Sequence, residues 1–177
     1  MNDATTVLLI EDDPADAKLI QDALVDTADG CFHVELVTCL AEALKRLNEE
    51  RVEVILLDVT LPDAQGIDAF DRVSHAAPDS LILVLCGAID EETARQAMQR
   101  GAHDYLSKAH IDAHWLPRAL RYVIERESAR DALRNSEERF RAISDASPLG
   151  SIAPSQQGGS SPMYIPTIMR ENWSTTR

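Results

Sequence analysis

The stretch VILLDVTLPD, from Val54 to Asp63, decides the fold of this chain. Four apolar residues lead directly into the carboxylate of Asp58, and Leu61-Pro62-Asp63 then indicates a turn. A short run that is apolar on both faces is typical of a strand covered by helices on both sides. A carboxylate at the end of such a strand is placed at one edge of the sheet, where we expect it to face a pocket.

Other short apolar runs alternate with segments of helical pattern. They are Val7–Ile10, Val34–Val37, Leu81–Leu85 and a weaker run, Ala102–Leu106. Asp13-Pro14 and Asp90-Glu91-Glu92 are helix starts, and Gly101 is a helix end. Strands alternating with helices predict an α/β fold with a doubly wound, five-stranded parallel sheet over about 125 residues.

The formal charge of −13 is unevenly distributed. Residues 1–125 contain 24 acids and 10 Lys/Arg, whereas residues 126–177 contain 6 acids and 7 Lys/Arg. Nucleic-acid binding needs a basic surface, and the first segment has the opposite sign. We therefore expect no nucleic-acid partner.

Cysteines and hydropathy indicate the compartment. Cys31, Cys39 and Cys86 have no CxxC spacing, which favours a reducing environment. No apolar run approaches the roughly 18 residues of a membrane span, and the N-terminus lacks the pattern of a signal peptide. The sequence predicts a cytoplasmic protein without a membrane partner.

Acidic residues and one lysine follow several of the predicted strands. Glu11-Asp12-Asp13 follows the first strand, Asp58 ends the third, and Cys86-Gly87 ends the fourth. Lys108 comes just after the fifth. Ligands of such sheets bind at the carboxyl ends of the strands, so we expect these groups to share a pocket. Clustered carboxylates suit Mg²⁺, and a lysine suits a phosphoryl group; together they indicate phosphoryl transfer.

Four stretches in this order resemble the receiver domain of two-component response regulators. They are VLLIEDDPADAKLI, VILLDVTLPDAQGID, LILVLCGAID and GAHDYLSK, within residues 5 to about 125. The resemblance implies a flavodoxin-like sheet of order 2-1-3-4-5. It also implies a protein that is not an enzyme on a separate substrate but assists its own phosphorylation and dephosphorylation.

The resemblance also implies roles for individual residues. Asp58 would accept the phosphoryl group from a histidine kinase or phosphotransfer protein, and Lys108 would pair with Asp58 and then with phosphoryl oxygens. Tyr105 would be the switch aromatic, which turns inward in the phosphorylated state. The implied Mg²⁺ ligands are Glu11 through water, Asp12 directly, Asp13 as a helper, Asp58, and the backbone carbonyl of Thr60.

Two positions depart from the family pattern. Receivers usually have Ser or Thr where this chain has Cys86, and a thiol is a weaker donor than a hydroxyl. We expect phosphorylation with a looser switch. Ala109 stands where Pro often follows the lysine, so a cis peptide is not expected there.

The last predicted helix begins near Asp112 and has no Gly or Pro between Arg118 and Pro148. It resembles a linker between a receiver and a PAS domain, and SEERFRAISDASPLG resembles a PAS start. We predict a receiver domain at residues 1–125, a projecting helical linker that forms a homodimer at 126–146, and a flexible tail or truncated PAS-like start at 147–177. A solvated helix that frays is the alternative to dimerisation.

The sequence leaves alternatives to a phosphorylated receiver. A phosphorylation-independent scaffold or dimerisation module is the main alternative, which Cys86 favours and the acids with Lys108 oppose. A phosphatase would need a further catalytic residue. The glycines form no nucleotide-binding motif, and the hydrolase motif GxSxG is absent. We expect His110 and His114 to be surface histidines.

Overall fold

The computed structural model describes residues 4–25, 32–87 and 91–146. The predicted tail at 147–177 and Cys31 lie outside the described residues. In chain order the elements are β1 (Thr5–Ile10), α1 (Pro14–Val25), β2 (Phe32–Val37), α2 (Leu40–Glu49), β3 (Val54–Asp58), β4 (Thr60–Leu61), β5 (Ala64–Gln65), α3 (Ile67–Ala76), β6 (Leu81–Cys86), α4 (Glu91–Gln99), β7 (Asp104–Ser107), a short 3-10 helix (Lys108–His110) and α5 (Trp115–Ala146).

The main sheet has five parallel strands in the order β2-β1-β3-β6-β7. When the two-residue strands β4 and β5 are left out, this is the predicted order 2-1-3-4-5, so the predicted fold class is confirmed. Strand β3 lies at the centre, and all five of its residues are buried. Its position explains why the sequence VILLD carries no alternation of apolar and polar residues.

Two layers of helices cover the sheet. Val7 and Leu9 of β1 pack in a core with α1 and with the first turns of α5. Leu8 and Ile10, which point to the opposite face, pack in a second core with α2, α3 and residues of α4. Because the five strands are parallel, their carboxyl ends all lie at the same edge of the sheet, between the two helix layers.

The turn predicted at Leu61-Pro62-Asp63 lies within a small antiparallel hairpin formed by β4 and β5. Gly66 follows the hairpin with a φ of 60°, a conformation that residues with a Cβ rarely adopt. Its N–H donates to the carbonyl of Val59 at 2.6 Å and closes the loop. The hairpin holds the chain just after Asp58 at the edge of the sheet.

Some element starts differ slightly from the sequence prediction. Strands β1 and β2 begin two residues before their predicted apolar runs, and β7 begins two residues later than its run, at Asp104. Helix α5 begins at Trp115 rather than near Asp112, because Asp112 caps it: its Oδ1 accepts hydrogen bonds from the backbone N–H groups of His114 and Trp115. No cis peptide occurs in the described ranges, as expected for Ala109.

Helix α5 changes character along its length. Leu116, Leu120 and Val123 are buried against the sheet. From Ser128 to Arg141 every side chain is exposed. Residues from Glu138 onward belong to a second compact unit, of which only the helical turns up to Ala146 are described. Among the described helices none has the length and apolar character needed to cross a bilayer.

Candidate phosphorylation and metal site

The candidate site forms where β1, β3 and β7 end. Glu11 follows β1 directly, and its N–H donates to the carbonyl of Val37 at 3.0 Å, which continues the pairing with β2. Asp58 is the last residue of β3, and Lys108 follows β7. Parallel strands carry these residues to one edge of the sheet. Lys108 therefore meets Asp58, which lies 50 positions earlier in the chain, and Glu11, which lies 97 positions earlier.

Lys108 is the centre of the site. Its Nζ lies 2.7 Å from Glu11 Oε2, 2.8 Å from Asp58 Oδ2 and 3.0 Å from Asp16 Oδ2. Burial lowers the pKa of the ammonium, but the hydrogen bonds to the three carboxylates outweigh burial and hold that pKa above its ordinary value. Lys108 is therefore charged at neutral pH, with three carboxylates around it.

Asp58 has a partner on each carboxylate oxygen. Oδ1 accepts a hydrogen bond from the Thr60 N–H at 2.9 Å, and Oδ2 accepts one from Lys108. The side chain is only 5% exposed, so the carboxylate is almost fully shielded from solvent. These contacts fix its orientation at the end of β3.

Three carboxylates form a group that suits a hard cation. Glu11, Asp12 and Asp58 each offer an oxygen, and these atoms lie within 4.8 Å of one another. Glu11 is fully buried, and its Oε2 lies 2.7 Å from the ammonium of Lys108. Burial raises the pKa of Glu11 to about 7, with a further contribution from Asp58. An oxygen-only donor set that includes two buried carboxylates fits Mg²⁺.

Asp13 has a different role in this structure. Its Oδ1 accepts hydrogen bonds from the N–H groups of Ala15 and Asp16, at 2.7 and 3.2 Å. These hydrogen bonds cap α1 and hold the pKa of Asp13 below its ordinary value. The group of three carboxylates does not include Asp13, so its part as a metal helper rests on the family resemblance alone.

The remaining predicted residues lie close to the same edge. Cys86 ends β6 and is buried, and its thiol donates to the carbonyl of Leu106 at 3.6 Å. Tyr105 on β7 is half-buried against the core that faces α2 and α3. The Thr60 N–H is engaged with Asp58, and the metal role of the Thr60 carbonyl remains a prediction. His110 and His114 are exposed, as expected of surface histidines.

Sequence reasoning missed two acids. Asp16 is the third carboxylate on Lys108, and Asp63 accepts hydrogen bonds from the N–H groups of Leu40 and Ala41 at the start of α2. The available signal for Asp16 was its place in the first helical turn after Glu11-Asp12-Asp13, on the edge where strand ends deliver the site. For Asp63 no local signal exists, because its partners lie more than twenty residues earlier.

Known proteins define the class to which this fold and site belong. A family model described as response regulator receiver domain matches residues 7–121, well over half of the chain. A probable C4-dicarboxylate response regulator, DctR of Bacillus subtilis, is 31% identical over 102 residues, which cover 58% of this chain and 45% of that protein. The chain belongs to the response regulator receiver domain family.

Solved structures agree with the fold. The receiver domain of a putative LuxO repressor protein from Vibrio parahaemolyticus has a TM-score of 0.63 and 24% identity, covering 73% of this chain and 97% of that one. A response regulator from Burkholderia pseudomallei, solved with a phosphorylated aspartic acid, calcium ion and citrate, has a TM-score of 0.57 and 27% identity, covering 80% and 85%. The chain spans less than half the length of the first curated relatives that it matches.

Proposed function

We propose that this chain receives a phosphoryl group on Asp58 from a histidine kinase or phosphotransfer protein, with Mg²⁺, in the cytoplasm. The observation that carries the proposal is the contact of one ammonium, Lys108, with both Asp58 and Glu11 at the carboxyl edge of the sheet. A carboxylate held next to a cation and a metal-binding group has the parts that phosphoryl transfer needs.

In the transfer, an oxygen of Asp58 attacks phosphorus while the bond from phosphorus to the donor histidine nitrogen breaks, and the imidazole leaves. Glu11, Asp12, Asp58 and the carbonyl of Thr60 would hold Mg²⁺, Glu11 through water. When bound, Mg²⁺ supplies positive charge that offsets the charge of the phosphoryl oxygens. Lys108 moves from the Asp58 oxygen to a phosphoryl oxygen, and the chain serves as its own substrate rather than as an enzyme on another molecule.

The output of the domain lies near Cys86 and Tyr105. In the proposal, the phosphoryl group draws the residue at position 86 toward itself and Tyr105 turns inward, which changes the surface around β7. Residues 1–125 are the receiver, residues 126–146 carry the change onward as a helical linker of a homodimer, and residues 147–177 are a flexible tail or PAS-like start. The proposed partners include neither nucleic acid nor membrane.

Intact mass after incubation with acetyl phosphate tests the proposal. Wild type is expected to gain one phosphoryl adduct that requires Mg²⁺, and Asp58→Asn is expected to gain none. Asp68→Asn, an exposed acid on α3, is the matched control and should behave as wild type. Absence of an adduct from wild type under all conditions would favour the second candidate, a phosphorylation-independent scaffold, for which Cys86 in the usual Ser/Thr position is the supporting observation.

A further inference from the structure

Asp16 stands apart from the other acids around Lys108. It lies in the first turn of α1, and its Oδ2 accepts a hydrogen bond from Lys108 Nζ at 3.0 Å across 92 residues of sequence. Of the three carboxylates on Lys108, Asp16 is the one outside the metal-binding group of the described residues. It is also the most exposed, at 38% compared with 0% for Glu11 and 5% for Asp58.

Capping of α1 does not explain this contact. Asp13 accepts the hydrogen bonds of the first-turn N–H groups, including the N–H of Asp16 itself. The Asp16 carboxylate is instead directed to Lys108. An acid in the first turn also interacts favourably with the helix dipole, but that effect is small at an exposed position and needs no lysine.

An ammonium has three N–H donors, and here three carboxylates surround it within 3.0 Å. A phosphoryl group on Asp58 would bring negatively charged oxygens that need one of these donors. The carboxylate of Asp16 would then compete with the phosphoryl oxygens for Lys108 and repel them. Before phosphorylation, the same carboxylate neutralises part of the lysine charge that competes with a cation for Glu11 and Asp58.

We propose that Asp16 is a positioning residue that shares Lys108 with the phosphorylation site, and that it favours Mg²⁺ binding while shortening the life of the phosphoryl group. This inference rests on the proposed function. It has a signature that a structural role lacks, because loss of packing or of a helix start would weaken both kinds of binding together. Loss of the Asp16 charge changes them in opposite directions.

The test compares Asp16→Asn with Asp22→Asn. Both replacements are nearly isosteric and lie on α1, and Asp22 forms an exposed ion pair with Lys18 on the same helix. Three quantities are measured: the Mg²⁺ dissociation constant of the unphosphorylated protein, the affinity for beryllofluoride at saturating Mg²⁺, and the lifetime of the adduct from acetyl phosphate. That lifetime ends when water adds to phosphorus, the bond to the Asp58 oxygen breaks, and carboxylate and inorganic phosphate are released.

Asp16→Asn is expected to weaken Mg²⁺ binding and to strengthen beryllofluoride binding, each by about threefold to tenfold, the size of one charge interaction that is screened by water, because Asp16 is the exposed member of the site. The adduct lifetime should lengthen by a similar factor. Asp22→Asn should match wild type in all three. In a Lys108→Ala background, the effect of Asp16→Asn on Mg²⁺ binding should fall below about twofold, because the two residues act through one contact.

The proposal is overturned if Asp16→Asn weakens Mg²⁺ and beryllofluoride binding equally, or changes neither. It is also overturned if Asp16→Asn has its full effect on Mg²⁺ binding in the Lys108→Ala background. Thermal unfolding is measured first, and Asp16→Ser replaces Asp16→Asn if the latter fails to fold. If wild type binds Mg²⁺ but takes no adduct from acetyl phosphate, the proposed function fails. The Mg²⁺ comparison with and without Lys108 still decides the role of Asp16 in that case.

Discussion

The carboxylate of Asp63 accepts a hydrogen bond from the backbone N–H of Leu40 at 2.8 Å and a second from Ala41 at 2.8 Å. The N-cap position of α2 is occupied by Cys39, whose side chain makes no capping hydrogen bond. An acid from the hairpin after Asp58 therefore caps a helix that begins more than twenty residues earlier. The contact from Leu40 also holds the pKa of Asp63 below its ordinary value.

Asp63→Ala should lower the free energy of unfolding by about 0.5–2 kcal/mol, the usual cost of losing a helix cap. Urea unfolding followed by circular dichroism measures the change. Cys39→Asp in the Asp63→Ala background should restore part of the loss, because it places a capping carboxylate at the N-cap itself. If Asp63→Ala has the stability of wild type, the two hydrogen bonds do not contribute to α2.

A bidentate ion pair joins β2 to α2. Arg46 Nε and Nη2 donate to the two carboxylate oxygens of Glu35 at 2.6 and 3.0 Å. The guanidinium holds the pKa of Glu35 below its ordinary value of 4.5. A lowered pKa means that the pair stabilises the fold above pH 4.5 and that this stabilisation disappears as the pH falls through the pKa of the folded state.

Glu35→Gln should cost about 0.5–1 kcal/mol of unfolding free energy at pH 7, since the pair is partly exposed to solvent. The difference between wild type and variant should stay constant from pH 6 to 8 and narrow below about pH 4.5. Urea unfolding over this range measures it. The Arg46→Met background is the control, in which the difference should lose its pH dependence; a difference that persists there would place its origin elsewhere.

Strand positions could be predicted because central strands of a parallel sheet are buried on both faces. VILLD has no polar residue before its terminal acid and VLLI has none at all, and both runs lie within strands, β3 and β1. The edge strand β7 was harder to place because three of its four residues are only partly buried, so the apolar run Ala102–Leu106 does not coincide with the hydrogen-bonded part. The position of a strand can thus be predicted from the sequence where the strand is buried on both faces.

Contacts between distant elements could be predicted only where strand ends bring them together. Glu11, Asp58 and Lys108 were expected to meet because all three follow strands of one sheet. The contact of Asp16 with Lys108 depends on the rotation of α1 about its axis, and the contact of Asp63 with Leu40 depends on where α2 begins. Neither the rotation of α1 nor the start of α2 can be predicted from the residues near these contacts.

The second half of α5 carries exposed apolar side chains. Leu133 is 62% exposed and Phe140, seven residues later, is 74% exposed. Seven residues is the spacing of one position in a two-stranded coiled coil, so pairing of two copies would cover both side chains. Leu133→Glu should shift the molecular mass from dimer to monomer in sedimentation equilibrium, whereas Arg134→Glu on the neighbouring face should leave it unchanged. A monomeric wild type would contradict the proposed homodimer.

Cys86 is the residue at which the proposed switch departs from the family pattern. Its thiol donates to the carbonyl of Leu106 at 3.6 Å, next to Tyr105, and a serine hydroxyl at this place would be a stronger donor to a phosphoryl oxygen. Cys86→Ser should therefore strengthen the coupling of the phosphoryl site to Tyr105 by about 0.5–1.5 kcal/mol, the net worth of one hydrogen bond. The inward population of Tyr105, read from its ring NMR signals with beryllofluoride and Mg²⁺, should rise, and the phosphoryl lifetime should change with it.

Cys86→Ala is the matched control, because it removes the donor without adding a hydroxyl. It should lower the inward population of Tyr105 or leave it unchanged, so that the order serine, cysteine, alanine follows the strength of the donor. Cys39→Ser, at the partly exposed start of α2, controls for loss of a thiol elsewhere. If Cys86→Ser changes neither the Tyr105 signals, nor the phosphoryl lifetime, nor the oligomeric shift on phosphorylation, the thiol does not loosen the switch.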